Sequence, residues 1–268
     1  MIDESIAKEP NVAGLYGPRI QLMGMELDAI TESDCNHAVM QALDAGKGGV
    51  VVTANLDHLR RFELDPLYRR IARHAEIVVA DGAPLIWASA IQNTPLPERV
   101  AGSDLIWSMS RAAAEHGRSV FLFGGNPGTA ESAARVLQQH NPSLRIAGTT
   151  CPDFGFEIDE NAMNAVHKIL IKAAPDIVYV ALGSPKQEYV IDQLKASLPN
   201  AWWMGVGISF SFISGDVDRA PAWMQQLGVE WIHRLSQEPS RLARRYLIDG
   251  VPFGLRLMRS AATKRLFG

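Results

Sequence analysis

Asp81 closes the apolar run Glu76 to Asp81 (EIVVAD) and is followed at once by Gly82. A carboxylate carried to the end of a buried strand is partly desolvated, which raises its basicity, so it suits removal of a proton from a sugar hydroxyl. The glycine beside it leaves room for a ligand. An ordinary account exists too, in which Asp81 caps a helix starting near Pro84, and taken alone the two readings balance. Three further runs end in polar residues: Thr53-Ala54-Asn55, then Gly124-Gly125-Asn126-Pro127-Gly128-Thr129, then Gly183-Ser184-Pro185-Lys186-Gln187-Glu188. The GGNPGT turn can offer backbone N–H groups and a helix N-terminus to a phosphate. A tight loop capped by Thr129 is the slightly favoured account of that turn in isolation. Four convergent endings weigh more than one, and with Thr53, Asn55 and Gln187 close to Asp81 the balance moves towards chemistry.

These residues need an open parallel sheet, because such sheets bind ligands outside the carboxyl ends of their strands. Short β-branched runs alternate with amphipathic stretches from residue 49 onward, the pattern of successive βαβ units. Strands are predicted at 49–55, 76–81, 119–124, 145–150, 176–182 and 201–210. Helices are predicted at 31–45, 57–74, 84–92, 103–116, 128–140, 158–173 and 186–197, with an edge hairpin around Arg19 to Leu27. Beyond Ser211 the sequence turns helical and Arg-rich, at 220–235 and 240–247, and Pro239 suits the first turn of the second helix. The expectation is a Rossmann-like, doubly wound, mostly parallel α/β core over 1–210 with a C-terminal helical appendage over 211–268.

Composition narrows the class. The 268 residues are 47% hydrophobic and 21% charged, with a net charge of −3, and mean hydropathy is −0.01. A disordered chain and a multi-span membrane protein are both excluded. Charge is uneven: residues 234–268 hold eight Arg or Lys and two acids, a net of +6, which leaves −9 on the rest. Arg241, Arg244 and Arg245 share one helix face, with Arg234 upstream, and apolar Trp223, Trp231, Leu235, Leu242, Leu247, Ile248 and Phe253 interleave with them. That mixture suits diphosphate or an anionic membrane surface. Met1 to Pro10 lacks the apolar core of a signal peptide, and no window suffices to span a bilayer. Cys35 and Cys151 read as buried thiols of a cytosolic protein.

Several motifs are discounted. Asp153-Phe154-Gly155 spells a kinase triplet without the other kinase segments. Asp216-Val217-Asp218 spells a metal-binding DxD but falls in a Gly-containing loop, where a solvated acidic loop is the better reading. The seven histidines lack ligand spacing, so no metal site is expected. A nicotinamide-dependent enzyme is demoted because GxGxxG is absent and no acid ends the strand 145–150.

The strings TANLDH, VADGAP, RVAGSDL, FLFGGNPGTAE, ALGSPKQE and the long GVGISFSFISGDVDRAPAWMQQLGVEWIHRLSQEPSRLARRYL together resemble the WecG/TagA/CpsF family of bacterial glycosyltransferases, family 26, from about residue 20 to about 247. The resemblance implies an inverting, metal-independent enzyme without a cofactor. It would move a sugar from a UDP-sugar to a polyprenyl-pyrophosphate-linked saccharide at the inner face of the membrane, in cell-surface polysaccharide synthesis. It implies that Asp81 is the base, that Thr53, Asn55 and Gln187 line its pocket, that Arg99 neutralises phosphate, and that Arg234, Arg241 and Arg244 bind pyrophosphate. Asp216 and Asp218 depart from the lysine that the family often carries there. No nucleic-acid partner is expected, and a homo-oligomer is open. The rival readings are a non-catalytic, membrane-peripheral module that binds nucleotide sugars and a nucleotide-sugar dehydrogenase or epimerase. Sequence does not distinguish the donor sugars or the acceptor.

Overall fold

The structure is a computed structural model in which residues 16–226 and 228–267 are described, apart from the side chains of Ala222, Gln226 and Arg241. The reading of Met1 to Pro10 lies outside the described residues. A short antiparallel hairpin comes first, β1 (Arg19–Leu22) and β2 (Met25–Asp28). It is tied to the main sheet by the buried Asp28, whose carboxylate accepts from the Val78 N–H at 2.8 Å and from Arg19 Nε at 2.6 Å.

Six strands form the main sheet: β3 (Gly49–Ala54), β4 (Ile77–Ala80), β5 (Ser119–Gly124), β6 (Arg145–Thr150), β7 (Ile177–Ala181) and β8 (Trp202–Gly205). They run parallel in the order β4-β3-β8-β7-β5-β6. Because both faces of the central strands are covered, each strand divides its residues between two cores. Val51, Ile77, Val79, Leu122, Tyr179 and Met204 face one layer, while Val52, Val78, Phe123, Val180 and Trp203 face the other. The first layer is built from α1 (Glu32–Asp44), α5 (Gly102–Glu115), α6 (Thr129–His140) and α9 (Ser209–Ser214). The second contains α2 (Leu56–Leu64), α3 (Pro66–Arg73), α4 (Ala83–Ile91), α7 (Glu160–Ala173) and α8 (Lys186–Leu194). This is the doubly wound architecture expected.

Two elements of the core differ from expectation, and the C-terminal helix predicted over 220–235 is broken at Gly228 and Val229 into two. The helix predicted over 57–74 is broken at Asp65, which caps α3 by accepting from the Leu67 and Tyr68 N–H groups while Pro66 occupies the first turn. The strand predicted over 201–210 ends at Gly205, and Ser209–Ser214 is helical instead. Its Ser-Phe-Ser-Phe alternation imitates a strand, yet Ser209, Phe210 and Ser211 are all buried where α9 meets α6.

After α9 the chain continues through α10 (Ala222–Gln226), α11 (Glu230–Gln237), α12 (Pro239–Ala243), a wide π-helical segment (Arg244–Gly250) and α13 (Val251–Phe267). Pro239 takes the first turn of α12, as expected. Helix α13 returns to the core against α4 and α2, burying Phe253, Leu257 and Ala261 at four-residue spacing in the second layer. The ion pairs Arg60–Asp249 at 2.9 Å and Arg245–Asp57 at 3.0 Å fasten the π-helical segment to α2.

Candidate active site

Asp81 follows β4 directly, and its N–H donates to the Ala54 carbonyl at 2.7 Å, so the ends of β4 and β3 lie side by side. Helix α4 begins at Gly82 with no side-chain cap, which removes the reading of Asp81 as the cap of that helix. The carboxylate instead faces the start of α5, where the Gly102 N–H has a small influence on it, and Oδ1 lies 3.6 Å from Arg99 Nη1. Gly82, at φ +136°, adopts a conformation that L side chains avoid, and a Cβ there would stand 3.7 Å from Asn55 Cβ. Burial is the strongest influence on the Asp81 carboxyl. Arg99 lowers its pKa, Glu230 raises it, and His58 lowers it less; together they bring it from 3.8 up to about 6. The side chain still keeps 27% of its surface accessible, so the group is desolvated without being sealed.

Thr53 and Asn55 stand at the end of β3. Thr53 is buried, and Oγ1 lies 3.0 Å from where a Cβ on Gly102 would be, so a glycine there lets α5 start against β3. Asn55 caps α2: its Oδ1 accepts from the Asp57 and His58 N–H groups, and its own N–H bonds His58 Nδ1 at 3.2 Å. Gln187 and Glu188 are buried on α8. Gln187 Oε1 accepts from the Gly207 N–H at 3.1 Å, which holds the turn after β8, and its Nε2 donates to Glu188 Oε1 at 2.9 Å. Burial pushes the Glu188 carboxyl up, but hydrogen bonds from His58 and Gln187 together with the His58 charge leave it below the usual range.

The glycine turns fall on the same edge. Gly124 and Gly125, at φ +93° and +83°, bring the end of β5 onto β7, where the Gly125 N–H reaches the Ala181 carbonyl at 2.8 Å. A Cβ on Gly125 would stand 2.4 Å from Thr129 Oγ1, so the turn tolerates no side chain. The cap of α6 is Gly128 rather than Thr129, whose hydroxyl donates back to the Asn126 carbonyl at 2.8 Å. Gly183, at φ +73°, faces open space, and the cis bond between Ser184 and Pro185 leads into α8. Lys186 does not join Asp81: its Nζ pairs with Glu157 at 2.7 Å and lies 5.0 Å over the exposed Phe154 ring and 5.1 Å over Phe156. The Asp153-Phe154-Gly155 triplet is therefore a surface turn that receives Lys186.

An ion network extends the site towards the C-terminal region. Arg99 Nη1 lies 3.9 Å from Glu230 Oε2 on α11, and Nη2 donates to Asp104 Oδ2 at 3.3 Å. Asp104 Oδ1 in turn accepts from Arg219 Nη1 at 2.5 Å. Asp104, Arg219 and Glu230 were not singled out from sequence as site residues. Their only signal was membership of the strings RVAGSDL, DVDRAP and GVEW. His58, which partners both Asn55 and Glu188, was likewise missed.

Of the basic cluster, Arg234 is half-buried on α11, Arg244 is exposed, and Arg245 is engaged by Asp57. Arg241 lies in α12, and its side chain is outside the described atoms. Trp223, Ile232, Leu247, Ile248 and Leu255 are exposed in the same C-terminal region, and Trp231 stacks edge-on with Tyr246 at 6.0 Å. No helix among the described residues is long and apolar enough to cross a membrane. Asp216 and Asp218 are exposed, and Asp216 accepts from the Ser214 hydroxyl at 2.7 Å. Cys35 is buried as expected, whereas Cys151 is only half-buried, with Sγ 3.3 Å from the Gly125 carbonyl oxygen.

A doubly wound parallel sheet with a desolvated carboxylate and two guanidinium groups at its carboxyl edge defines an α/β protein of the kind that binds ligands at that edge. The model of the Glycosyl transferase WecG/TagA/CpsF family matches residues 20–266, and the chain belongs to that family. The match runs through α13, beyond the point near 247 where the motif resemblance stops. The chain is similar to the N-acetylglucosaminyldiphosphoundecaprenol N-acetyl-beta-D-mannosaminyltransferase of Bacillus spizizenii (strain ATCC 23059 / NRRL B-14472 / W23), with 30% identity over 218 residues, 81% of this chain and 82% of the relative. It is similar also to the enzyme of the same name from Bacillus subtilis (strain 168), with 29% identity over 225 residues, 84% and 85% of the two chains.

Proposed function

We propose that this chain transfers a sugar, with inversion and without a metal or cofactor, from a UDP-linked donor to a saccharide carried on a polyprenyl diphosphate. The observation that carries the reading is Asp81: a carboxylate raised to about 6, free of any helix-capping duty, at the carboxyl edge of the sheet beside Arg99. Such a group is mostly ionised at neutral pH yet more basic than an exposed aspartate. As the acceptor oxygen bonds the anomeric carbon, Asp81 takes the hydroxyl proton, and the bond from that carbon to the diphosphate breaks. Inversion needs only one base on the face opposite the leaving group. Charge on the departing diphosphate is met by guanidinium groups, which can replace a metal in that role. The acceptor class is supported by the relatives' names, and N-acetylmannosamine is on the same ground the first donor to try. Exposed Arg244, Ile248 and Leu255 suit peripheral contact with the inner membrane face, where such an acceptor lies.

The test is a donor screen with purified protein, a prenyl-diphosphate-linked N-acetylglucosamine and a panel of UDP-sugars, following released UDP and lipid product together. Acceptor-dependent UDP release that survives a chelator supports the reading. UDP binding without transfer across the panel refutes it in favour of a non-catalytic binding module.

A further inference from the structure

Arg219 sits on the connection between α9 and α10, and only one end of its guanidinium is in use. Nη1 donates to Asp104 Oδ1 at 2.5 Å, while Nε and Nη2 are closed off from solvent and bond to nothing among the described residues. These two nitrogens form one edge of the guanidinium plane, the edge that meets two oxygens of a phosphate or carboxylate at once. Buried N–H donors of a cation without acceptors are costly and rare, so a pair of them on one edge asks for a partner. The side chain as a whole keeps 22% of its surface, so the residue reaches the protein surface although this edge is covered. Asp104 fixes its direction, because the same carboxylate holds Arg99 through its other oxygen and Arg99 in turn touches Asp81. One carboxylate thus sets two guanidinium groups along the edge that carries Asp81.

We propose that the Nε–Nη2 edge of Arg219 is a receptor for two oxygens of a diphosphate. The inference rests on the function proposed above, which supplies two sources of that chemistry, the nucleotide donor and the prenyl-linked acceptor. The surrounding groups are Arg99 and Arg219 against Asp81, Asp104 and Glu230, so bulk charge does not favour an anion here. Recognition has to come from the paired geometry of the fork. A lysine at this position, which keeps the charge and loses the fork, is therefore a poor substitute.

The experiment is equilibrium binding by calorimetry to the full chain and to Arg219→Gln and Arg219→Lys. The ligands are UDP, uridine, and a short-chain prenyl diphosphate bearing N-acetylglucosamine. The expected result is a loss of about 10- to 100-fold in affinity for one diphosphate ligand in the Gln variant, with little recovery in Lys and no change for uridine. Which ligand suffers identifies the source. Asp104→Asn, which leaves Arg219 in place but weakens its anchor, is expected to give a smaller loss of the same pattern and serves if Arg219→Gln does not fold. Equal affinities of the wild type and the folded Arg219 variants for both diphosphates, or absence of diphosphate binding by the wild type, overturn the proposal. A variant that transfers sugar with unchanged affinities refutes Arg219 alone. Diphosphate binding that depends on Arg219 in a protein that transfers no sugar refutes the reaction and leaves the receptor standing.

Discussion

Asp81→Asn removes a charge that the fold holds at a cost, so it is expected to stabilise the protein while abolishing transfer. In the unfolded chain the carboxyl ionises above its ordinary 3.8, and in the fold only above about 6. Protonated, the group is accommodated equally well in both states. As pH rises through the window from 3.8 to about 6, the unfolded state releases its proton first and the fold loses stability, after which the deficit is constant. A shift of about two units corresponds to about 3 kcal/mol. With 27% of the side chain accessible, solvent screening reduces the expected gain for the neutral isostere at pH 7.5 to about 1–3 kcal/mol. In a chain of this size that raises Tm by about 3–8 °C. The neutral amide leaves Arg99 with Asp104 and Glu230 as partners, so no buried cation is orphaned. Calorimetric melts at pH 7.5 and pH 4 test the argument, because the two proteins are expected to converge at the lower pH. Transfer at pH 7.5 should fall by roughly 10²- to 10⁴-fold. A variant that melts below the wild type at pH 7.5 refutes the desolvation account, and one that keeps transferring sugar refutes Asp81 as the base.

Glu230→Gln removes a negative charge that raises the Asp81 carboxyl and shares Arg99 Nη1 with it, so the acid limb of the kcat/KM profile is expected at lower pH; an unmoved limb dissociates the two groups. Gly205→Ala sets a methyl 2.4 Å from Gln187 Nε2, expelling that side chain from Gly207 and Glu188. The expected cost is about 1–3 kcal/mol, read as a lower Tm, together with weaker UDP binding. Arg244→Glu combined with Ile248→Asp reverses one exposed charge and places another on an exposed apolar position. Co-sedimentation with anionic vesicles is expected to fall several-fold at low salt, and unchanged co-sedimentation removes this face from the membrane contact.

What sequence reveals here follows from the range over which each interaction acts. The strands were legible because a parallel strand covered on both faces must be apolar throughout, and GVVVTA, IVVA, VFLF and IVYVA carry that requirement within a few residues. Asp81 was legible for the same reason, as a charge ending such a run. The break at Asp65 was written locally too, as an N-cap followed by proline, but the apolar period over 57–74 outweighed it. Helix α9 misled because the buried Ser209 satisfies its hydroxyl within the turn, on the Val206 carbonyl, so a polar residue entered the core without a partner visible in sequence. The network around Asp81 was out of reach for a stronger reason. Arg99 meets Glu230 across 131 positions and Arg219 meets Asp104 across 115. These contacts join segments far apart in the chain, and they form where the C-terminal region packs on α4, through Gly228 against Ala83 and through α13. The influence of Glu230 on Asp81 therefore depends on where the C-terminal helices lie against the core. A variant that loosens α13, by replacing Leu257 with a polar residue, for instance, should disturb the pH profile of a carboxylate that α13 does not touch.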